Sequence, residues 1–374
     1  MEIFLLASFL QVIKYAGYVL IAILLLLLMI TIHELGHYLS GKLLGFGIEE
    51  FSIGFGPKVF SRRKSSGELF SIRALPLGGF CSFTGEDSES DDARAFNNKK
   101  PWQRIIVLIS GALMNYLLAL LIIILMFGVY GQNALVTYVV DKPTETYTSE
   151  YSFNEKDVIL KANGKNVYLI TDLMDATIGK NKGDLISFEV IRDGKVQKIS
   201  VMLRDDTHFA NYEDMSTLYS ALGIYYEMDY QTGQMQNGGL YMTGVRLGVF
   251  KTISRSFNYS FKLAGSIFAV LGQLITGRLG LSSMGGTVTT IAVTAQAISF
   301  GFRNVLNIAS FIGVNLAVFN LLPFPALDGS RVVFTAIEWI RKKPINRKVE
   351  GIIHTIGFVL LILFAVFIDL QRCF

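Results

Sequence analysis

Hydrophobic and polar positions along the chain change their period several times. Four stretches, about 17–39, 104–130, 302–322 and 351–368, are continuously apolar. Each is long enough to cross roughly 30 Å of hydrocarbon, for which about 20 helical residues suffice. Residues 51–85 instead hold Gly-Phe-Gly-Pro, a Ser-Ser-Gly turn and the alternating run LFSIRAL, which predicts short strands joined by tight turns. A β element this apolar, directly after a span, fits a segment that re-enters the membrane with its backbone satisfied by the protein itself. A small cytoplasmic hairpin domain fits the same pattern.

From 134 to 204 the chain becomes more polar, and Asn163-Gly164 and Asp193-Gly194 separate the alternating runs DVILKA, NVYLI, ISFEVIR and VQKISVML. Each pair is a two-residue hairpin signal, so a small β-rich domain is expected outside the membrane. Its order of strand, Asn-Gly, short helix near ITDLMDATIG and strand hairpin resembles a PDZ domain. Lys156 stands where the loop of such domains typically has glycine. Residues 205–250 are rich in Tyr, Met and Gly without a clear period and read as irregular or partly β. Over 248–277 apolar positions recur at helical spacing with Lys251, Arg255 and Lys262 among them, which predicts a helix in the outer interface or a fifth span.

Composition supports the membrane reading. The chain has 374 residues, of which 51% are hydrophobic and 17% charged, with a mean hydropathy of +0.45. That is too apolar for an ordinary soluble protein. A net charge of +4 without nucleic-acid motifs predicts no nucleic-acid partner. Cys81 and Cys373 lie far apart and imply no disulfide framework. Glu86–Asp92 is a short acidic run without EF-hand spacing and reads as a solvated loop. The first span has a weak basic flank, Glu2 and Lys14, and no small-residue cleavage site, so it is expected to be retained.

Charge also orients the spans. Nine Lys and Arg residues from Lys42 to Lys100 lie between spans one and two, and Arg341, Lys342, Lys343, Arg347 and Lys348 lie between three and four. Both loops should be cytoplasmic, and parity then puts both termini and the 131–301 connection outside. A fifth span would move the second basic loop outside, which counts against it.

Within the first span, His33-Glu34-Leu-Gly-His37 interrupts the apolar run. Residues four apart share a helix face, so both imidazoles can reach one cation, with Glu34 beside them as general base toward a metal-activated water. Ionisable groups inside a span cost several kcal/mol and are kept for function. Fifteen residues from Tyr18 at 1.5 Å each carry the helix about 22 Å, toward the cytoplasmic side. A tetrahedral Zn²⁺ with one open position needs a third protein ligand. His208 lies in the external connection, and His354, at the start of the last span, is expected to pack or hydrogen-bond there. Asp328, just after the third span in FNLLPFPALDGSR, sits at the matching depth and is the stronger candidate. Pro323 and Pro325 break the helix before it, and that unwound segment, with the Asn320 amide, could hold an extended substrate strand.

HELGH at 33–37 and NLLPFPALDG at 320–329 resemble the two motifs of the site-2 protease family of intramembrane zinc metalloproteases. FGPKVF…FSIRALPLGGF looks like that family's membrane-reentrant β region. The PDZ-like insertion resembles the bacterial branch that processes anti-sigma factors and remnant signal peptides. The resemblance implies His33, His37 and Asp328 as zinc ligands, Glu34 as base, and Asn320 as a substrate contact. GALMN at 111–115 keeps the glycine and asparagine of the family's Gly-Pro-x-x-Asn but has Ala112 for proline, and implies Asn115 facing the site. SSMGGTV at 282–288 departs from the family's Gly-Pro-Val-Gly.

The expected architecture is therefore an α-helical polytopic membrane protein of about four spans. Residues 1–133 form an N-terminal membrane core that includes the β region, 134–204 the PDZ-like domain, 205–300 an external linker with an interfacial helix, and 301–374 a C-terminal core. The expected activity is zinc-dependent cleavage of single-span membrane proteins already trimmed by another protease, in a bacterial cytoplasmic membrane. A non-enzymatic adaptor with a structural metal is the rival reading. A metal transporter would need polar residues between Tyr18 and Thr31, and there are none.

Overall fold

A computed structural model describes residues 2–86, 90–138, 140–141, 147–208, 215–228, 235–277 and 285–371. Cys373 and the middle of the acidic run lie outside these. In chain order the helix α1 (Glu2–Leu43) leads into β1 (Ile48–Arg63), β2 (Leu69–Phe83) and α2 (Pro101–Tyr130). There follow β3 (Gln132–Thr137), β4 (Val158–Ala162), β5 (Lys165–Asn166), α3 (Ile170–Thr177), β6 (Leu185–Arg192) and β7 (Lys195–Met202). Next come α4 (Met215–Leu222), β8 (Tyr226–Met228), β9 (Met235–Gly238), β10 (Leu240–Val245) and α5 (Val249–Ile275). The chain closes with α6 (Thr287–Ser299), α7 (Phe302–Asn320), α8 (Asp328–Arg341) and α9 (Arg347–Gln371). Two compact units result, Met1–Ile123 with Ser260–Phe374, and Ile124–Tyr259.

Among the described residues, four helices are long and apolar enough to cross a membrane: Gln11–Leu43, Pro101–Tyr130, Phe302–Asn320 and Arg347–Gln371. They coincide with the four apolar stretches of the sequence, and the chain has the architecture of a polytopic membrane protein that also carries β sheets. α5 is not among them.

In the first unit α1 and α2 approach closely because Gly36 has no side chain; a Cβ there would meet the Ser110 carbonyl oxygen at 2.3 Å. Met29, Ala309 and Ile312 are buried between α1, α2 and α7, with Leu118 and Leu316 packed around them. α6 lies on α1 through Ala22, Ala295 and Ile298. α6 falls within 205–300, where the sequence predicts a linker with one helix; its 13 residues are too few to register as a span.

The β region of this unit is a folded-over hairpin. The first half of β1 pairs with both ends of β2, so that Phe51 faces Cys81 on one side and Phe70 on the other. Phe46, Phe83 and Phe96 pack with Val107 and Leu108 and seat the sheet against α2.

The second unit has a sheet in the order β10-β3-β4-β6-β7, with β5 beside β4. Both two-residue hairpins form as predicted: Ala162 pairs with Lys165 around Asn163 and Gly164, and Arg192 with Lys195 around Asp193 and Gly194. All four turn residues have positive φ, which this turn type requires. Lys156 also has φ 64°, the backbone state that favours glycine at that loop position. The sheet does not end at 204. β10 pairs with β3 along its whole length, and α4 buries Leu218 and Leu222 in the core. β10 is an edge strand whose exposure does not alternate, so the sequence carries no period-2 signal for it.

Candidate metal centre

His33 and His37 project from one face of α1 because four residues make just over one turn. Both are buried, each about 7% exposed. Asp328 is the first residue of α8 and reaches them across the break between α7 and α8. His33 Nε2 lies 2.9 Å from Asp328 Oδ2, His37 Nε2 3.3 Å from the same oxygen, and the two Nε2 atoms are 3.2 Å apart. Zinc bonds of about 2.0–2.1 Å at tetrahedral angles separate ligand atoms by roughly 3.3 Å, so this triangle fits that ion. Among the described residues these three form the group of metal-binding type. His208 and His354 are not part of it.

Both imidazoles have partners on their Nδ1 side. His37 Nδ1 donates to the Val107 carbonyl oxygen at 2.8 Å, which leaves the Nε2 lone pair directed at the triangle. His33 Nδ1 faces the side-chain amides of Asn115 and Asn320 at 3.5 and 3.4 Å. Asn115 is fully buried, and its Oδ1 has no hydrogen-bond partner as placed. The opposite amide orientation would turn Oδ1 toward His33 Nδ1, as an acceptor for an Nδ1–H that leaves Nε2 free for a metal. Asn115 and Asn320, both predicted from the motifs, therefore stand against the back of His33.

Close packing determines the rest. A Cβ at Gly111 would lie 2.5 Å from His37 Nε2, so α2 passes the imidazoles only because this position is glycine. Gly79 of β2 comes within 3.4 Å of the Glu34 side chain by the same measure. Glu34 faces a cavity of about 470 Å³ whose lining includes Phe80, Cys81, Glu86, Asp328 and Arg331. A second cavity of about 270 Å³ touches His33, Asn115, Leu316, Asn320, Ala326 and Leu327. The cluster is thus open on two sides. Pro325 is held against α9 at Gly357.

Three features of the site leave no pattern in the sequence. Val107 and Gly79 carry no signal beyond their apolar or small character. Glu86 belongs to a run read as solvated, yet it pairs with Arg331, one turn beyond Asp328 on α8.

A buried imidazole pair, a carboxylate from a second helix and a glutamate aimed at an open cavity define a metal-dependent hydrolase, here mounted on helices of membrane type. Residues 21–364 match the model of peptidase family M50. The chain belongs to this family. A Clostridium perfringens relative provisionally named a zinc metalloprotease is 34% identical over 92% of this chain and 95% of its own length. Zinc metalloprotease RasP of Bacillus licheniformis is 27% identical over 92% of this chain and 97% of its own. The RasP of Geobacillus kaustophilus is also 27% identical, over 92% and 96%.

Proposed function

We propose that this M50 peptidase is a zinc endopeptidase that cleaves single-span membrane proteins within or beside their transmembrane helix. The observation that carries this reading is the meeting of His33, His37 and Asp328 in one triangle beside Glu34, inside a bundle of apolar helices. His33, His37 and Asp328 would hold the ion, in keeping with the names of the relatives. Zinc bound there supplies Lewis acidity toward a scissile carbonyl and an attacking water.

Glu34 takes a proton from that water at a carboxylate oxygen and returns it to the departing amide nitrogen. The smaller cavity, where two amides and the apolar Ile30, Leu316 and Leu327 stand beside His33, Glu34 and Asp328, suits an unwound backbone segment whose own hydrogen bonds have been given up. The Asn320 amide is the group there best placed to meet a substrate carbonyl, with Ala326 and Leu327, which follow Pro323 and Pro325, lining the same cavity.

By charge and parity the site faces the cytoplasmic side of a bacterial cytoplasmic membrane, the β region re-enters it, and α5 lies in its outer interface. Both termini and the PDZ-like unit then stand outside. That unit would act as a filter that admits substrates trimmed by an earlier protease, such as anti-sigma factors or remnant signal peptides. A parent enzyme that cleaves full-length and trimmed forms of one substrate at equal rates would remove the filter role.

The test of the catalytic reading is Glu34→Gln. It should lower cleavage of a co-expressed single-span substrate by roughly 10²–10⁴-fold, with zinc content unchanged. Parent-like cleavage by the variant would overturn it.

A further inference from the structure

The loop that delivers Asp328 contains an alanine in a backbone state that alanine rarely adopts. Ala326 has φ 81°, in the left-handed region where a Cβ crowds the neighbouring carbonyl. Something outside the loop must hold it there, and α9 does so at two points on one face. His354 Nδ1 accepts the Ala326 backbone N–H at 3.1 Å. One turn on, Gly357 lies so close to Pro325 that a Cβ would come within 2.3 Å of the proline Cβ and 2.7 Å of its carbonyl oxygen. The His354 ring is itself steadied by Phe334 of α8, T-shaped with centres 5.7 Å apart.

The far end of the loop is equally tight. A Cβ at Gly329 would stand 2.3 Å from the Leu322 carbonyl oxygen. Asp328 therefore sits between two close contacts, one at the end of α7 and one on α9. Ala326 also lines the cavity shared by His33, Asn115 and Asn320, so its conformation shapes that cavity as well.

We propose that His354 is a positioning residue of the metal centre: by accepting the Ala326 N–H it holds the loop in the one conformation that sets Asp328 Oδ2 beside His33 and His37. Nδ1 accepts only in the tautomer with its proton on Nε2, so His354 acts here as a neutral acceptor. The inference rests on the reading of the triad as a zinc site. It assigns to the last span a direct hold on a ligand that it does not itself carry.

The test uses the full chain in detergent, as the parent and as His354→Phe, His354→Asn, the double variant His354→Phe with Ala326→Gly, and Asp328→Ala as the ligand-loss control. Phenylalanine keeps the ring and the contact with Phe334 but offers no acceptor. Asparagine places an amide oxygen where Nδ1 stood, and glycine at 326 adopts positive φ unaided. Zinc affinity is read by chelator competition, and ligand geometry by the visible spectrum of the cobalt-substituted protein.

His354→Phe should weaken zinc binding by on the order of 10–100-fold, the usual effect of losing a group that orients a ligand, and should shift the cobalt spectrum. His354→Asn and the added Ala326→Gly should each restore both. A His354→Phe protein with parent affinity and spectrum would overturn the proposal. So would a loss that neither restoring change repairs, because that marks simple packing. A parent protein that binds no more zinc than Asp328→Ala would instead overturn the zinc reading on which the proposal stands.

Discussion

Asp328 Oδ2 lies 2.9 Å from His33 Nε2, although 295 positions separate the two residues. α7 brings the chain back beside α1 and stops at Asn320, so that α8 begins at the level of the imidazoles. On the proposed zinc reading, removing this carboxylate would leave two imidazoles on one helix face, too few for a stable site with an open position. Asp328→Ala should lose more zinc affinity than the ~10–100-fold typical of an outer partner of a ligand, measured by chelator competition, and should lose proteolysis with it. Retention of zinc at parent affinity would remove Asp328 from the ligand set.

Gly111 makes a sharper test of the packing. α2 runs this near the imidazoles because Gly36 lets it seat against α1 at Ser110. The methyl group of Gly111→Ala would arrive 2.5 Å from His37 Nε2 and 2.8 Å from His33 Cε1. Overpacking of this kind costs about 1–3 kcal/mol, and here the strain falls on the two imidazoles. Zinc binding and activity should both drop, while Gly128→Ala in the same helix, which meets nothing within 4 Å, should leave them unchanged. Equal behaviour of the two alanines would show that the imidazoles have more room than the geometry gives them.

The parts of this centre that were legible in the sequence are those that depend on local periodicity. His33, Glu34 and His37 declare themselves by helical spacing, and the Asn-Gly and Asp-Gly turns by backbone requirement. Asp328 was reachable by tracking the depth of each span and through the resemblance of NLLPFPALDG to a family motif. Val107, Gly79 and Glu86 were not reachable, since a backbone carbonyl, a missing side chain and a distant ion pair leave no periodic trace. The same holds for β10, which enters the second sheet as an edge strand, and for α6, too short to register as a span. Lys156 shows the converse: its departure from glycine was visible at once, and the fold accepts it at φ 64°.

α8 is fixed at its far end by charge. Arg104 Nη1 donates to Glu338 Oε2 at 2.5 Å, both side chains are buried, and Glu338 Oε1 also accepts the Ile345 N–H and contacts Arg347. Breaking such a pair from one side strands a buried charge, at about 3–5 kcal/mol. Glu338→Leu should therefore lower thermal stability in detergent markedly, whereas Arg104→Met combined with Glu338→Leu should recover much of the loss. A double variant as unstable as the sum of the singles would mean that the two residues do not act as a pair.

Glu68 gives a pH dependence with a defined sign. It sits at the turn between β1 and β2, about 6% exposed, and its carboxylate accepts from Lys42 and Tyr38 at 3.0 Å and lies 3.1 Å from the Lys64 ammonium. Burial alone would raise its pKa, but the hydrogen bonds from Lys42, Lys64 and Tyr38 outweigh it and hold the group down at about 2, against 4.5 when free. A folded pKa below the free value means that folding favours the anion. The stabilisation is thus fully present above pH 4.5, fades as pH falls below that value, and is gone once pH passes through 2. Because these partners tie the turn to the end of α1, the contribution should appear in the stability of the β region. Glu68→Gln should melt below the parent at pH 7, and the gap between the two should narrow steadily as the pH is lowered from 5 toward 3. A gap that stays constant over that range would show that Glu68 is held no more tightly in the folded chain than in the unfolded one.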